Sequence, residues 1–488
     1  DLHRVDRRQR QMCIRDRFYD SQTGEVTALN GSGRAPAALT LDLLREQAFD
    51  RQMPPFHAHT ITVPGAAAGW CDLIERHGSL PLRDLLAPAI RLAEEGFPVA
   101  PLTAHAWARG AELQLRNSAG GQELLIQGRA PRAGEVFRNP TLAQTMRALA
   151  EGGKDAFYRG DIARNIVETV QAHGGVMAED DLALHTSTWE EPISTLYRGI
   201  RIYECPPNGQ GLAALIALNI LAQLDLPDDP LSAERLHLII EALRLAFADT
   251  LWWVADPAFC HAPLDRLLSE AYARERARLI NPHQATLDQQ PGALTMGPDT
   301  VYFSIVDGQG NACSFINSNY WGFGTGIVPP GTGFSLQNRG WGFALDPHHP
   351  NALAPRKRPY HTIIPGMATR ESDGSLYASL GVMGGFMQPQ GHVQVILALV
   401  LDGADPQAAL DRPRVYLEEG APDGRVALEE GIPIQVMARL AALGHPVRPV
   451  SGYDRAIFGR GQIITRDPTN GVLCGGSDSR ADGCAIGF

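Results

Sequence analysis

The 488-residue chain is 44 % hydrophobic and 20 % charged, an ordinary globular composition that can bury about three quarters of its unfolded surface. A net charge of −11 without a basic stripe argues against nucleic acid as a partner. No run of about 18 apolar residues exists that could span a membrane.

The first 17 residues, DLHRVDRRQRQMCIRDR, carry six Arg and three Asp and differ in texture from everything after them. The MCIRDR portion resembles a translated sequencing adaptor. Residues 1–17 are therefore expected to be foreign and to stand outside the fold, with Cys13 not native and the natural N-terminus missing. On that reading a missing leader says nothing about compartment, which stays unread. The seven cysteines form no C-x-x-C pair, so they read as small buried hydrophobes rather than zinc ligands or a disulfide framework.

Residues 18–62 read as a hairpin with Gly24 in its turn, followed by a short helix. VPGAAAGW (63–70) leads into a helix over Cys71–His77. LPLRDLLAPAIRLAEEGFPV carries helical spacing and stops at Gly96 before Pro98. Helical patterns recur at Leu142–Ala150, Ile162–His173 and Leu212–Leu224. Ser232 is a good N-cap for a helix in which Leu236, Ile239, Ile240, Leu243 and Phe247 repeat on one face. Residues 281–299 are polar and aperiodic, a loose connection.

Strands dominate after residue 299. TVYFSIV alternates, with Val301, Phe303 and Ile305 on one face. Asp307–Asn311 is a turn and ACSFIN the return strand. ASLGVM is a further strand, followed by Gly384–Gly385 and a helix from Gly391 to about Leu401. GQIITRDPTNGVLCGG closes the chain as a hairpin. Helices first and strands second suggest stacked α and β layers. H-E-x-x-H, P-loop and G-x-S-x-G motifs are lacking, Gly322–Gly326 reads as a turn, and His348–His349 lie in a Pro-bounded loop. No metal and no cofactor are expected.

Several stretches, in order, resemble the γ-glutamyltranspeptidase family: VPGAAAGW, LPLRDLLAPAIRLAEEGFPV, YRGIRIYECPPNGQGL, GPDTVYFSIVDGQGNACSFINSNYWGFGTGIVPPGTGFSLQNRG, LGVMGGFMQPQGHVQVILALV and GGSDSRADG. The resemblance runs from about residue 18 to the end. It implies an α/β (α+β) fold, a four-layer αββα sandwich of the N-terminal-nucleophile hydrolase type. It also implies one precursor that cuts itself between Asp299 and Thr300 into a large portion (18–299) and a small portion (300–488), forming one domain together. Thr300 takes the nucleophile position, four residues before the S of SIVD. Ser318 falls where the family has a supporting Thr, and Gly384–Gly385 match the oxyanion pair. The bare chemistry agrees: a hydroxyl needs a base, and a chain-terminal Thr carries one in its own α-amine, whose pKa is near 7.7–8.0.

The substrate pocket departs from the family. Ser32 stands at the position of the Arg that binds the α-carboxylate, with Arg34 two residues on as a replacement. The Ser-Ser pair is His361–Thr362. The positions that hold the α-amine carry Tyr320, Arg339 and Gly342. A cation at Arg339 would repel an α-ammonium and suit an acidic or neutral acyl group. This pattern resembles the divergent branch that includes oxamate amidohydrolase and cephalosporin-acylase-like proteins. The expected function is amide hydrolysis or acyl transfer through acyl-Thr300 on a small-molecule amide, γ-glutamyl being the family's usual acyl group. The rivals are an amidase of another small acid such as oxamate, an acylase, and an uncleaved binding homologue. A higher oligomer is left open.

Overall fold

The computed structural model describes residues 13–116, 118–287 and 299–488, with the side chains of 13, 14, 119 and 299 left aside. Eleven strands make two facing sheets: β1 (Cys13–Tyr19), β2 (Val26–Asn30), β3 (Thr188–Glu190), β4 (Ile193–Tyr197), β5 (Ile200–Glu204), β6 (Asp299–Val306), β7 (Ala312–Tyr320), β8 (Gly366–Arg370), β9 (Leu376–Met383), β10 (Arg460–Arg466) and β11 (Leu473–Ser477). The first sheet has the order β3-β2-β1-β7-β6 and the second β11-β10-β9-β8-β5-β4. Every pairing within them is antiparallel.

Helix α1 (Ala66–His77) covers the outer face of the first sheet, where Ala66, Trp70 and Leu73 meet Phe303 and Phe315. Helices α2 (Gly211–Leu221), α3 (Ala233–Trp253) and α4 (Met387–Ile396) cover the second sheet and enclose the largest apolar cluster. The four layers are helix, sheet, sheet, helix, as the resemblance implies. Ser232 caps α3 by accepting from the Arg235 N–H at 3.3 Å. Helix α2 is apolar all round because it is buried on every side.

Between the sheets, β6 runs along β9. Ser304 Oγ and Ser379 Oγ are 3.0 Å apart, and the Tyr302 ring fills the space beside Gly381. A methyl group at 381 would come within 2.4 Å of that ring, so glycine is required there. The side chains of Thr300, Tyr302 and Ser304 thus face the second sheet. The Val301/Phe303/Ile305 face turns toward α1, and Ile305, at its end, is exposed.

Several expectations need correction. Residues 13–17 do not stand outside the fold: they belong to β1, which pairs with β2 and β7. Strand pairing uses backbone groups that every non-proline residue carries, so even a charged stretch can supply it. Arg15, Asp16 and Arg17 are buried. Residues 1–12 lie outside the described residues, as does most of the connection expected over 281–299. Helix α1 begins at Ala66 rather than Cys71, and α4 begins at Met387 rather than Gly391. Pro389 is tolerated there because its missing N–H falls in the first turn. Cys205 is buried as expected, but Cys474 and Cys484 are exposed, the first on an outermost strand and the second in the C-terminal tail.

Candidate functional site

The site grows from the β6–β7 hairpin. Its turn is closed by Asp307, whose carboxylate accepts from the Asn311 N–H at 2.9 Å. The hairpin aligns Thr300 opposite Ser318, and the ladder slips between Asp299 and Thr300, where Asp299 lies opposite Tyr320. Tyr320 has φ +80°, a conformation unfavourable for a bulky residue. Backbone irregularity therefore sits across from the Asp299–Thr300 peptide.

Thr300 is buried, and its Oγ1 lies 3.1 Å from Ser318 Oγ. Ser318 Oγ also accepts from the Tyr320 N–H at 2.9 Å and from Arg339 Nη2 at 3.2 Å. Arg339 Nη1 donates to Thr362 Oγ1 at 2.7 Å, and its guanidinium stacks 3.9 Å from the Tyr320 ring centroid. Four of the residues read from the sequence thus form one chain of contacts, Thr300–Ser318–Arg339–Thr362, with Tyr320 as its floor.

The glycine pair reaches the same place from the facing sheet. Ser304 meets Ser379 and Tyr302 meets Gly381, so each two-residue step back along β6 matches a two-residue step forward along β9. Beyond these contacts β9 ends at Met383 and runs into the Gly384–Gly385 turn. Both glycines have positive φ, +145° and +60°. Gln210, in the Gly/Pro loop before α2, ties this turn to the rest: its Nε2 donates to the carbonyls of Gly385 and Thr362, each at 2.8 Å. The sequence reading quoted this loop but gave Gln210 no role; a Gln between Gly209 and the helix start was the available signal.

His361 is fully buried beside the chain. Its Nδ1 accepts from the Ile363 N–H at 3.3 Å, and Nε2 has no hydrogen-bond partner among the described residues. Burial first, then the charges of Arg339, Arg15 and Arg358, hold its pKa well below the ordinary value, so the ring is neutral. Gly342 lies beside the Tyr360 carbonyl, which a methyl group at 342 would approach to 3.2 Å, with the Tyr320 hydroxyl in ordinary contact at 3.9 Å. Ser32 is buried among Asn30, Asn208 and Arg358. Arg34 does not join this arrangement in its observed position, because its guanidinium donates to the Thr186 carbonyl at 3.3 Å.

A family model described as Gamma-glutamyltranspeptidase matches residues 17–488. The glutathione hydrolase-like YwrD proenzyme of Bacillus subtilis is 35 % identical over 475 residues, covering 96 % of this chain and 88 % of its own. The oxamate amidohydrolase proenzyme of Klebsiella pneumoniae is 36 % identical, covering 95 % of this chain and 88 % of its own. The crystal structure of cephalosporin acylase from Bacillus halodurans superposes with a TM-score of 0.90 at 41 % identity, covering 99 % of this chain and 89 % of that one.

Proposed function

The chain belongs to the gamma-glutamyltranspeptidase family of hydrolases, and from that premise we propose that it breaks itself between Asp299 and Thr300 and then cleaves an amide through an acyl ester on Thr300. The observation that carries this reading is the contact chain Thr300–Ser318–Arg339–Thr362 closed onto the glycine turn by Gln210. On this reading residues 18–299 and 300–488 become the two subunits.

In the precursor the Thr300 hydroxyl adds to the Asp299 carbonyl, the C–N bond breaks to leave an ester on Thr300 Oγ1 and a free Thr300 amine, and water hydrolyses that ester to the Asp299 carboxylate and the Thr300 hydroxyl. The slipped ladder and the strained Tyr320 opposite favour this rearrangement. In the mature enzyme the neutral amine takes the hydroxyl proton as Thr300 Oγ1 attacks the substrate carbonyl. The amine passes that proton to the leaving nitrogen, and water or an acceptor amine then releases the acyl group. The Gly384 and Gly385 N–H groups hold the developing oxyanion.

The acyl group is set by the substituted pocket. Tyr320 stacks on the Arg339 guanidinium, and Arg339 places a cation beside the nucleophile's support. An acyl group bearing a carboxylate or no charge fits better than one bearing an α-ammonium. Of the relatives, the oxamate amidohydrolase and the cephalosporin acylase point the same way, whereas the glutathione hydrolase-like YwrD proenzyme points to γ-glutamyl. Intact mass spectrometry tests the cleavage: a fragment beginning at Thr300 is expected, and a single full-length mass after long incubation favours the uncleaved binding homologue. Assays of oxamate beside γ-glutamyl-p-nitroanilide test the pocket, and dominant γ-glutamyl turnover would refute the Arg339 argument.

A further inference from the structure

Far along the chain from Thr300, three buried side chains converge: His237, Glu241 and His445. One ligand atom from each lies within 4.8 Å of the others. His237 and Glu241 stand one turn apart on α3, on the same face, and His445 follows the helix Ile434–Ala442. His237 Nε2 donates to the Asn281 carbonyl at 2.8 Å, which leaves Nδ1 as a bare lone pair. That lone pair faces His445 Nε2 at 2.8 Å. One Glu241 oxygen accepts from the Thr286 N–H at 3.0 Å, while Oε1 has no hydrogen-bond partner among the described residues.

We propose that His237 Nδ1, His445 Nε2 and Glu241 Oε1 bind a divalent ion of the zinc class. Two imidazoles and a carboxylate are a zinc donor set, and a carbonyl on the remote nitrogen of His237 is the orientation that metal-bound imidazoles use. In the metal-free form His445 Nε2 carries the proton it donates to His237. Binding moves that proton to Nδ1, which is buried without a hydrogen-bond partner among the described residues, and widens the nitrogen separation by about half an ångström, since both would then sit about 2.1 Å from the ion. Arg244 is the opposing charge: its Nε lies 3.4 Å from Glu241 Oε1. Its Nη atoms are held by the Pro422 and Gly424 carbonyls, so the guanidinium competes for one edge of the carboxylate only.

The placement gives the ion a task. His237 and Glu241 precede residue 299 and His445 follows it, so after the cleavage proposed above the ion joins the two subunits. Asn281 and Thr286, bonded to two of its ligands, also anchor the chain leading to the cut. This second role rests on the cleavage reading; the binding does not.

The test uses the full chain, stripped with chelator and dialysed against ZnCl₂. Elemental analysis is expected to give about one zinc per chain, and CoCl₂ in its place the visible absorption of a tetrahedral site. His237→Asn and His445→Asn each abolish this, and the isosteric Glu241→Gln weakens binding about tenfold or more, with apo circular dichroism unchanged. Trace zinc in the parent overturns the proposal. So does full stoichiometry in both His variants, which would assign the ion elsewhere, as on exposed Cys474 and Cys484. In cleaved protein, chelator should lower the urea midpoint for separating the fragments; an unchanged midpoint overturns the joining role. Zinc content is read whether or not the chain cleaves.

Discussion

Thr300 Oγ1 and Ser318 Oγ lie 3.1 Å apart across the β6–β7 pair, next to the one slip in that ladder. The contact places a hydroxyl partner on the proposed nucleophile, and the peptide before it is irregular. Thr300→Ala should therefore yield one uncut chain without activity. Ser318→Ala should slow self-cleavage and turnover by about 10–100-fold, while Ser318→Thr, which keeps the hydroxyl, should stay within a few-fold. A gel time course and steady-state kinetics measure both; an unimpaired Ser318→Ala would remove Ser318 from the mechanism.

Arg339 binds Ser318 and Thr362 with separate nitrogens. Arg339→Gln should raise KM for a carboxylate-bearing amide about tenfold or more and improve γ-glutamyl turnover relative to it. Arg339→Lys should not rescue, because an ammonium lacks the planar fork that spans two hydroxyls. Paired kcat and KM values for both substrates decide this, and a variant that lowers both rates equally would make Arg339 structural only.

Gly385 holds φ +60° in the turn whose N–H groups are proposed to bind the oxyanion. Gly385→Ala should tilt the N–H groups and lower kcat about 10²–10³-fold with little change in KM. Circular dichroism should show the fold retained, and a KM effect without a kcat effect would move the oxyanion site elsewhere.

Asp16 is fully buried in β1, and burial pushes its carboxyl up to about 8 despite the nearby Arg17 charge. The folded state therefore binds this proton more tightly than the unfolded chain, whose carboxyl titrates near 3.9. Between those values the unfolded form is charged and the folded form is not, so stability falls as pH rises from about 4 to 8. Asp16→Leu should raise the melting temperature, with a gain that grows over that window. A gain independent of pH would contradict the buried, protonated carboxyl.

Much of this was legible in the sequence because it is local. The apolar repeat from Leu236 to Phe247 with Ser232 before it specified α3, and the turn over Asp307–Asn311 specified the β6–β7 hairpin. The family resemblance supplied the layers and the candidates Thr300, Ser318, Gly384 and Gly385. What alternation hid was the inner face of β6. Val301, Phe303 and Ile305 look like the core side, yet Thr300, Tyr302 and Ser304 are the ones that face the second sheet. A strand covered on both faces buries polar side chains wherever the facing sheet supplies hydroxyl partners, and periodicity cannot report that.

The sequence, through its resemblance to the family, singled out which residues could act: a Thr opening a strand, a Gly-Gly turn, and a cation at a position where the family holds an amine. Only the tertiary structure decided which of them meet. It joined Arg339 to Thr362 and Ser318, brought in Gln210, left Arg34 on the Thr186 carbonyl, and gathered His237, Glu241 and His445 from more than two hundred residues apart in sequence. The physical reason is range. Propensity and capping act over a few residues, whereas the distance between two side chains on different sheets is set by how the whole chain packs.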